Sequence, residues 1–489
     1  MRSIRTLRGD QGWFVVLADC DAALGVADAL RTSTPLQVVA YPSGRPWLIG
    51  RWAASDLVLA QAGHRQVAVL GCCPVAATVL SAAASRARAP HELDPLATRL
   101  SGSFHLLGAM GGQTRVQGSV SGLRRVFRVQ ISGVTVASDR ADILADLAGA
   151  AVDERWLAIH LLHHQVPHPL DGSGWRGVRP VADGCYLLLN PDGSDRVVSW
   201  WNAPEPVLPL AEAAPIVRET LRAAVAARTH AGSTISADLS GGLDSTPLCF
   251  LAARASTRVV AVTQGGADPG NDDARWAKRA ARELSGVEHL MFHSQQLPVM
   301  YADMNQAGNG QDGPLARVRT NSRDAHIARV LVEHGSRLHL AGHGGDEVLE
   351  APACYLHTTA RTHPRIAANH LRGHRARSRW PLSAALRALA DQRTYPEWLA
   401  GNADDLTAAP PLPHRRRTRR TWAGGPLCGF PHGSPLTLPM SPPGCCGRQQ
   451  PPLNRWPPPA GSTPPSRLCA PAPGSHVTLL RSWPAPGCG

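Results

Sequence analysis

Short apolar runs alternate with helix-length amphipathic segments through the second half of the chain. Four runs have the length and composition of strands buried on both faces: residues 234–239, 259–264, 289–292 and 338–341. Helical periodicity fills residues 271–284 and 321–335 between them. Because strands and helices alternate, this pattern predicts a parallel α/β sheet for residues 210–402.

The first half of the chain has many shorter β-runs and a different predicted architecture. Residues 67–84 are nearly uncharged, but Gly71 and Pro74 interrupt them, so a buried strand plus a helix is favoured over a membrane span. Residues 184–201 predict the closing strands. The pattern favours an α+β sandwich over residues 1–203, joined to the second half by a proline-rich linker at 200–209.

The character of the chain changes near residue 402. Helical periodicity with mixed charge covers residues 381–399, whereas residues 403–489 are rich in Pro, Gly, Arg, Ser and Cys without any apolar period. After Asp405 there is no Asp or Glu, while nine Arg and five Cys follow. One interpretation is a natural disordered tail, because such a composition cannot bury a core. The favoured interpretation is translation out of frame, since disordered tails seldom combine Cys and Trp with a total lack of acid.

Most of the formal net charge lies in the tail. The nine tail arginines account for +9 of the formal +13, which leaves +4 for residues 1–405. This small excess does not indicate a nucleic-acid-binding domain. The N-terminus has no long apolar core and does not predict a signal peptide, and the scattered cysteines suit a reducing cytoplasm. No nucleic-acid partner and no membrane partner are expected.

A glycine-rich loop follows the first strand of the second half. It reads Ser240-Gly241-Gly242-Leu243-Asp244-Ser245 and leads into a helix-forming segment. Two glycines between a strand and a helix let backbone N–H groups converge on phosphate oxygens, where the helix N-terminus adds positive potential. No Lys follows, so the Walker pattern is absent. The alternative is an ordinary strand-to-helix turn, since Ser, Gly and Asp are common turn and cap residues.

A second glycine-rich loop argues against an ordinary turn. Residues 338–341 run directly into Gly342-His343-Gly344-Gly345-Asp346-Glu347. Because loops at the carboxyl ends of parallel strands share one crevice, Asp244 and Asp346 are predicted to hold one Mg²⁺ between ATP phosphates.

Together the two loops resemble the ATP-pyrophosphatase domain of the asparagine synthetase family, whose members activate a carboxylate as an acyl-adenylate and deliver an amine to it. The order of strands and helices is also similar to the family's. The resemblance implies an ATP- and pyrophosphate-binding role for both loops: Ser240, Gly241, Gly242, Leu243, Asp244, Ser245, Gly342, Gly344 and Gly345.

Residues 1–203 resemble the amidotransferase-like (Ntn-type) half of the same family. The similar segments are 100–104, 122–127, 136–139 and 184–201. Glutamine-hydrolysing members carry Cys directly after the initiator Met, whereas Arg2 follows Met1 here. Cys20 is the nearest thiol and is expected to be a small buried hydrophobe. The resemblance therefore implies a degenerate amidotransferase-like domain, with the amine supplied by the substrate.

Two family branches use a substrate amine, and they close β-lactams or lasso-peptide macrolactams. His343 at the second position of the later loop resembles the macrolactam branch, because Tyr is expected there in a β-lactam synthetase. His343 is the candidate base for the amine proton, since imidazoles exchange protons near neutral pH. The alternative for His343 is a positioning or phosphate-contacting role. Asp272 and Asp273 could contact nucleotide or substrate, but helix capping is the commoner role.

The resemblance implies ATP-dependent amide-bond formation by carboxylate adenylation. It would close a macrolactam between an Asp or Glu side chain and the N-terminal amine of a precursor peptide, with ATP and Mg²⁺ as cofactors. A leader-peptide-binding protein and a protease are candidate further partners. The alternatives are a small-molecule amide synthetase of the asparagine or β-lactam type, and an inactive remnant that binds nucleotide or peptide.

One element of the family's chemistry has no assigned residue. Family members carry a catalytic Lys late in the synthetase domain, whereas Lys278 is the only Lys in this chain. It lies on the helix after Asp273, where a solvated helix charge is the expected role. The sequence therefore predicts ATP binding more firmly than it predicts cyclisation.

The first prediction concerns the tail. Resequencing the DNA that encodes residues 395–413 should reveal a single-base correction. The corrected frame should continue as a mixed-charge helical sequence with a Lys, because the present tail has no acid and no apolar period. An unchanged reading would instead mean that the synthetase domain is truncated, and the nucleotide-binding remnant would become the leading account.

Overall fold

The computed structural model describes most of the chain before residue 391. The described ranges are 12–31, 36–162, 172–204, 207–229, 233–255, 257–266, 270–302, 319–345 and 355–390, with residues 397, 400, 401, 403, 404, 467, 468 and 478–480. The prediction of a disordered or out-of-frame tail falls almost entirely outside them and stays a prediction.

Two six-stranded antiparallel sheets make up the first half of the protein. The first sheet contains β1 (Trp13–Val16), β2 (Gln37–Ala40), β3 (Pro46–Arg51), β8 (Phe127–Ile131), β9 (Val134–Ser138) and β10 (Arg179–Pro180), in the order β10-β8-β9-β1-β3-β2. The second contains β4 (Leu57–Ala62), β5 (Arg65–Cys72), β6 (Ser103–Met110), β7 (Gln113–Gln117), β11 (Cys185–Leu189) and β12 (Asp195–Ser199), in the order β12-β11-β7-β6-β5-β4.

The central strands of each sheet are buried on both faces, which explains why they read as apolar runs. In β1, Phe14 and Val16 point into the core between the sheets, whereas Trp13 and Val15 point into a second core against helices. The helices on that side are α1 (Leu24–Arg31) and α4 (Ala141–Ala148). On the far side of the second sheet lie α2 (Ala77–Arg86) and α3 (Asp94–Arg99).

The resulting layers are helix, sheet, sheet and helix, so the predicted α+β sandwich is confirmed. Residues 67–84 contribute β5 and much of α2, as predicted for a buried strand plus a helix. Across the part of the chain that the structure describes, no helix is long and apolar enough to cross a membrane.

The second half is built on a sheet whose first four strands are parallel, as predicted. Its strands are β14 (Thr234–Asp238), β15 (Arg258–Gly265), β16 (Glu288–His293), β17 (Ser336–Ala341) and β19 (Thr478–Leu480), in the order β16-β15-β14-β17-β19. The short tail strand β19 pairs antiparallel with β17. Another tail strand, β18 (Arg467–Leu468), pairs with β13 (Leu208–Pro209).

Helices cover both faces of this parallel sheet. One face packs against α6 (Leu210–Ala226), α7 (Ser245–Ala253) and α8 (Asp273–Arg282). The other face packs against α9 (Asn321–Glu333) through Val260, Val262, Ile327 and Leu331. Alternate residues of β15 thus enter opposite cores, which is the arrangement expected of a central parallel strand.

Four further helices complete the described structure, and the two halves touch each other. The helices are α5 (Glu154–Leu162), α10 (Tyr355–Thr362), α11 (Pro364–Ser378) and α12 (Leu382–Ala390). The Cys72 thiol at the end of β5 donates to the carbonyl oxygen of Ala227, just after α6, at 3.7 Å. Arg155 of α5 forms an exposed ion pair with Asp404 at 2.6 Å.

The core between the two sheets generates a stability prediction. Leu187 lies in that core with 0% exposure, so Leu187→Ala should cost about 2 to 5 kcal/mol of unfolding free energy through lost burial and a cavity. Leu123 is 46% exposed, and Leu123→Ala should change the unfolding free energy by less than about 0.5 kcal/mol. Urea unfolding followed by circular dichroism measures both. Equal midpoints would contradict the assignment of Leu187 to the core.

Candidate functional site

The first glycine loop links β14 to α7 and is held in shape by its own serines. The Ser240 and Ser245 hydroxyls share a hydrogen bond at 2.8 Å, and the Gly242 N–H donates to the Ser240 hydroxyl at 3.2 Å. The backbone N–H of Ser240 donates to the Ser245 hydroxyl at 3.2 Å, which closes the turn. Ser245 is 6% exposed, whereas Leu243 at the tip is 92% exposed. The loop is therefore anchored at its ends and open to solvent at its tip.

Gly241 is required by both its backbone conformation and its surroundings. Its φ of +83° lies in the left-handed region. A Cβ atom there would lie 2.5 Å from the Cβ of Trp276 and 2.9 Å from the backbone nitrogen of Ala277, both on α8. The first glycine loop thus packs directly on the first turns of α8. A side chain at position 241 would push these elements apart.

The second glycine loop follows β17 and touches the first. A Cβ atom at Gly342 would lie 2.6 Å from the backbone nitrogen of Ser245, and one at Gly345 would overlap the carboxylate of Asp244. Because β14 and β17 are parallel neighbours, their carboxyl ends lie side by side and bring the loops together. The structure thus places residues 240–245 against residues 342–345 at one edge of the sheet, as the sequence predicts, at a junction that we call the crevice.

Asp244 stands at the junction of the two loops. It occupies the N-cap position of α7, yet its carboxylate makes no capping hydrogen bond to that helix. Instead the carboxylate lies against Gly345, facing the second loop. A cap alone therefore does not explain this residue. A carboxylate between two backbone loops at a helix N-terminus fits Mg²⁺, which prefers oxygen ligands and keeps several waters.

The predicted partner of Asp244 in metal binding, Asp346, lies outside the described residues, as does Glu347. Within the described residues, no group of three or more His, Cys, Asp and Glu side chains could hold a metal ion. The two-carboxylate magnesium site therefore stays a prediction. The roles of the loop residues in binding ATP also stay predictions.

His343 is exposed in the second loop, between Gly342 and Gly344. Gly344 has a φ of +98°, so the chain turns sharply immediately after the imidazole. This position places His343 at the rim of the crevice rather than in the core. Exposure to solvent suits either a proton acceptor or a phosphate contact.

A buried polar row lies beneath the loops, and sequence reasoning missed it. The imidazole of His339 bonds through Nε2 to the carboxylate of Asp238 at 3.0 Å and through Nδ1 to the hydroxyl of Ser236 at 2.8 Å. The Ser336 hydroxyl donates to that of Ser236 at 2.9 Å. His339 is 7% exposed. The available signal was the alternation of Thr234, Ser236 and Asp238 with apolar residues in a strand expected to be buried on both faces.

A β-bulge creates this polar row. Thr234 pairs with Ser336, but Ser236 pairs with His339, so β17 has one more residue than β14 across this interval. An extra residue re-aims the side chains that follow it. As a result His339 shares a face with Ser236 and Asp238, while Leu340 enters the apolar core with Ala237.

Thr263 ties the end of β15 to the start of the first loop. Its hydroxyl donates to the carbonyl oxygen of Leu239 at 2.5 Å and is 2.7 Å from Nε2 of His289. Burial, with a smaller contribution from Lys278, lowers the pKa of His289. The imidazole is therefore held neutral as a structural partner of Thr263 near neutral pH. Lys278 itself is exposed on α8, as predicted.

The acidic residues at the start of α8 serve local structure in the described arrangement. The Asp272 carboxylate accepts from Arg275 at 2.6 Å and from the indole N–H of Trp276 at 3.1 Å. The Asp273 backbone N–H donates to the Asn271 side chain at 2.8 Å. The Asp272 side chain makes no capping hydrogen bond to α8, so its contacts are side-chain pairings rather than the helix cap that the sequence favours. They also fix Trp276, on which Gly241 packs.

Comparison with known families gives a match in the second half of the chain. Residues 216–427 match the model of the family described as Asparagine synthase. This range contains both glycine loops and the strands that carry them. The family and the predicted resemblance therefore coincide at the level of the synthetase domain.

Known proteins with similar sequences come from mycobacteria. Proteins named "Putative asparagine synthetase (glutamine-hydrolyzing)" from Mycobacterium bovis and Mycobacterium tuberculosis are 29% identical over 173 residues. The matched segment covers 32% of this chain and 25% of each relative, so it spans about a quarter of their length.

Among solved structures, two chains align loosely. Glutamine phosphoribosylpyrophosphate amidotransferase from B. subtilis, complexed with ADP and GMP, is 11% identical, with a TM-score of 0.26 and coverage of 68% of this chain and 81% of that one. The allosteric regulatory enzyme of purine biosynthesis is 12% identical, with a TM-score of 0.25 and coverage of 68% and 84%. At such TM-scores neither alignment bears on the site.

The contact at Gly241 generates a binding prediction. Gly241→Ala should weaken ATP binding by at least about tenfold, because the new methyl group must displace the loop from α8. Isothermal titration calorimetry with ATP and Mg²⁺ measures the dissociation constant.

Two matched variants separate the contact from other effects of the same substitution. Gly286 has a φ of +75° with open space around it, so Gly286→Ala tests backbone strain alone, expected to cost about 1 to 2 kcal/mol of stability. Gly373 has open space and no positive φ, so Gly373→Ala introduces neither a close contact nor backbone strain. ATP affinity should be unchanged in both. Wild-type affinity in Gly241→Ala would show that the close packing is not needed.

Proposed function

We propose that the protein forms amide bonds at the expense of ATP, because residues 216–427 match the family described as Asparagine synthase. In this proposal a carboxylate is activated as an acyl-adenylate and then captured by an amine. The finer proposal is macrolactam closure in a precursor peptide. The carboxylate comes from an internal Asp or Glu, and the amine is the peptide's own N-terminus.

The observation that carries the proposal is the contact between the two glycine loops at Asp244. A carboxylate is a poor electrophile because hydroxide leaves badly, so activation must come first. In the first step the peptide carboxylate oxygen attacks the α-phosphorus of ATP, and the bond to pyrophosphate breaks. Residues 240–245 and 342–345 line the crevice that would receive the pyrophosphate. Mg²⁺ held by Asp244 and Asp346 would neutralise charge on the phosphates.

The second step joins the amine to the activated carbonyl. The nitrogen attacks the carbonyl carbon, the bond to the AMP oxygen breaks, and the nitrogen loses a proton. An N-terminal amine suits this step, since its ordinary pKa of about 7.7 to 8.0 leaves a neutral fraction near neutral pH. A lysine amine, near 10.4, would be mostly protonated. His343 at the rim of the crevice is the proposed proton acceptor.

Positioning supplies much of the rate in such a closure. When both reacting groups belong to one pre-folded peptide, effective molarities of roughly 10⁵ to 10⁸ M are attainable. The exposed tip of the first loop and the open position of His343 leave room for a peptide at the crevice. The protein's main task would be to hold the peptide N-terminus beside the adenylate.

The half-buried thiols of the sandwich support an amine that does not come from glutamine. Partial burial raises the pKa of Cys73 to about 12, and it also raises the pKa of Cys72 and of Cys185. A thiol must ionise to act as a nucleophile, so this shift makes all three weaker nucleophiles. Cys20 packs against the two apolar cores of the first sheet, in keeping with its expected structural role.

A small-molecule amide synthetase is the alternative function. It is favoured by the names of the mycobacterial relatives, which match the synthetase segment at 29% identity. Such an enzyme would also form AMP, but with an amino-acid-sized carboxylate and with indifference to peptides. The substrate therefore separates the two proposals, while AMP formation is common to both.

The test is a product assay with the full chain, ATP and Mg²⁺. A peptide with a free N-terminus and an internal Asp or Glu should lose one water while AMP and pyrophosphate appear, measured by mass spectrometry and chromatography. Asp244→Asn should lower the rate by at least about 100-fold, because charge stabilisation at the phosphates is lost. The N-acetylated peptide should not cyclise, although its carboxylate can still be adenylated.

Each other outcome has a definite meaning. AMP formation with aspartate or another small carboxylate, and none with peptides, would favour the alternative. ATP binding that is lost in Asp244→Asn, without AMP formation for any substrate, would identify an inactive remnant. ATP hydrolysis that is equal in wild type and Asp244→Asn would contradict both synthetase proposals.

A further inference from the structure

We propose that the N-terminal sandwich contains a second, separate anion-binding site. This site is a cavity of about 460 Å³ at the edge of the first sheet, which we call the arginine pocket. Its polar lining comprises Arg128, Gln130, Thr135, Arg176, Arg179 and Asp195. We infer that it takes a small molecule carrying oxyanion groups with two or more negative charges.

Two arginines face each other across a pair of strands. Arg128 of β8 is the antiparallel partner of Arg179 of β10. Directly opposed residues in such a pair point to the same face of the sheet, with Cβ atoms about 5 Å apart. Like charges in this position repel each other and destabilise the pair. A bound anion between the two guanidinium groups would remove the repulsion.

The one acidic residue of the lining is already fully engaged. Asp195 forms a close ion pair with Arg128 through Oδ2, and its Oδ1 accepts from the Thr135 hydroxyl at 2.7 Å. The Thr135 hydroxyl in turn accepts from the Gln130 side chain at 3.2 Å. Asp195 is therefore committed to one arginine. Three guanidinium groups and one carboxylate leave the pocket with an excess of two positive charges.

Donors remain available in this lining. Arg176 and Arg179 are exposed, and no described carboxylate lies within ion-pair distance of either. Their guanidinium N–H groups are therefore open to a ligand in the pocket, whereas the Nε of Arg128 is buried and cannot be reached from it.

Backbone hydrogen bonds fix the turn that carries Arg176. The Arg176 N–H donates to the carbonyl oxygen of Ala151 at 2.8 Å, and the Val178 N–H donates to that of Trp175 at 3.3 Å. Gly177 turns the chain there with a φ of +83°. This turn brings Arg176 and Arg179 to the same pocket, so less ordering is required when a ligand binds.

The chemistry of the lining selects the ligand class. A guanidinium presents parallel N–H donors that match the two oxygens of a carboxylate or phosphate. The volume lies within the range of small-molecule sites, roughly 300 to 1,000 Å³, and is too small for a folded partner. Two open guanidinium groups suit a phosphate ester or a di- or tricarboxylate. This inference stands independently of the proposed synthetase activity.

The test measures local protection in the full chain by hydrogen–deuterium exchange with mass spectrometry. Inorganic phosphate and citrate are the two probes, each compared with sodium chloride at matched ionic strength. At least one probe should slow exchange, in a saturable way, in segments covering residues 126–131 and 173–181. Protection by citrate alone identifies a polycarboxylate site, and protection by phosphate alone identifies a phosphate site.

Charge variants decide whether the protection belongs to the pocket. Arg176→Gln with Arg179→Gln should raise the half-saturating concentration by at least about tenfold, because two charge-assisted contacts are lost. Arg99→Gln with Arg196→Gln removes the same charge from exposed positions outside the lining, and should change it by less than about twofold. Arg179→Lys keeps the charge but loses the parallel N–H donors of the guanidinium, and should give an intermediate half-saturating concentration.

Three results would overturn the inference. The first is the absence of protection in these segments with either probe. The second is protection that sodium chloride reproduces, which would indicate general screening of charge. The third is an equal loss of protection in the pocket variant and the control variant, which would mean that net charge rather than the pocket binds the anion.

Discussion

The parallel pairing of β14 with β17 is the constraint on which the candidate site depends. Two neighbouring strands that run in the same direction must end at the same edge of the sheet, and each ends here in a glycine loop. The register includes one extra residue in β17, which turns His339 toward Asp238 and Leu340 into the core. Without this offset the polar and apolar faces of the two strands would not match. The loop contact and the polar row beneath it therefore have the same structural origin.

Glycines, which have no side chain, allow the close packing around this crevice. Gly241 lies against α8, Gly342 against the first residue of α7, and Gly345 against the carboxylate of Asp244. At each position a Cβ atom would meet backbone or a fixed carboxylate, neither of which can yield cheaply. Backbone groups can consequently approach a ligand closely while the helices stay packed. The same packing leaves Asp244 between the loops instead of capping its helix.

The sandwich and the synthetase half contribute different electrostatics. Around the loops, hydroxyl, imidazole and backbone groups add to the charges of Asp238, Asp244 and the start of α8. The sandwich holds half-buried thiols and a pocket with an excess of positive charge. The hydrogen bond from Cys72 to Ala227 lies where the two halves meet. The proposed phosphate chemistry and the proposed anion site thus belong to separate parts of the chain, each with its own means of attracting negative charge.

The sequence by itself determined the order of strands and helices and the two glycine loops. It did so because a strand buried on both faces must be apolar and because phosphate-type loops need glycine at fixed offsets. It also indicated that residues 240–245 and 342–345 would meet, since parallel strands end at one edge. It could not reveal the bulge, the row from Ser336 to Asp238, or the opposition of Arg128 and Arg179. These depend on register between strands distant in sequence, so only the tertiary structure decided them. The alternation of polar residues in β14 marks one side of the row but not the partners it meets.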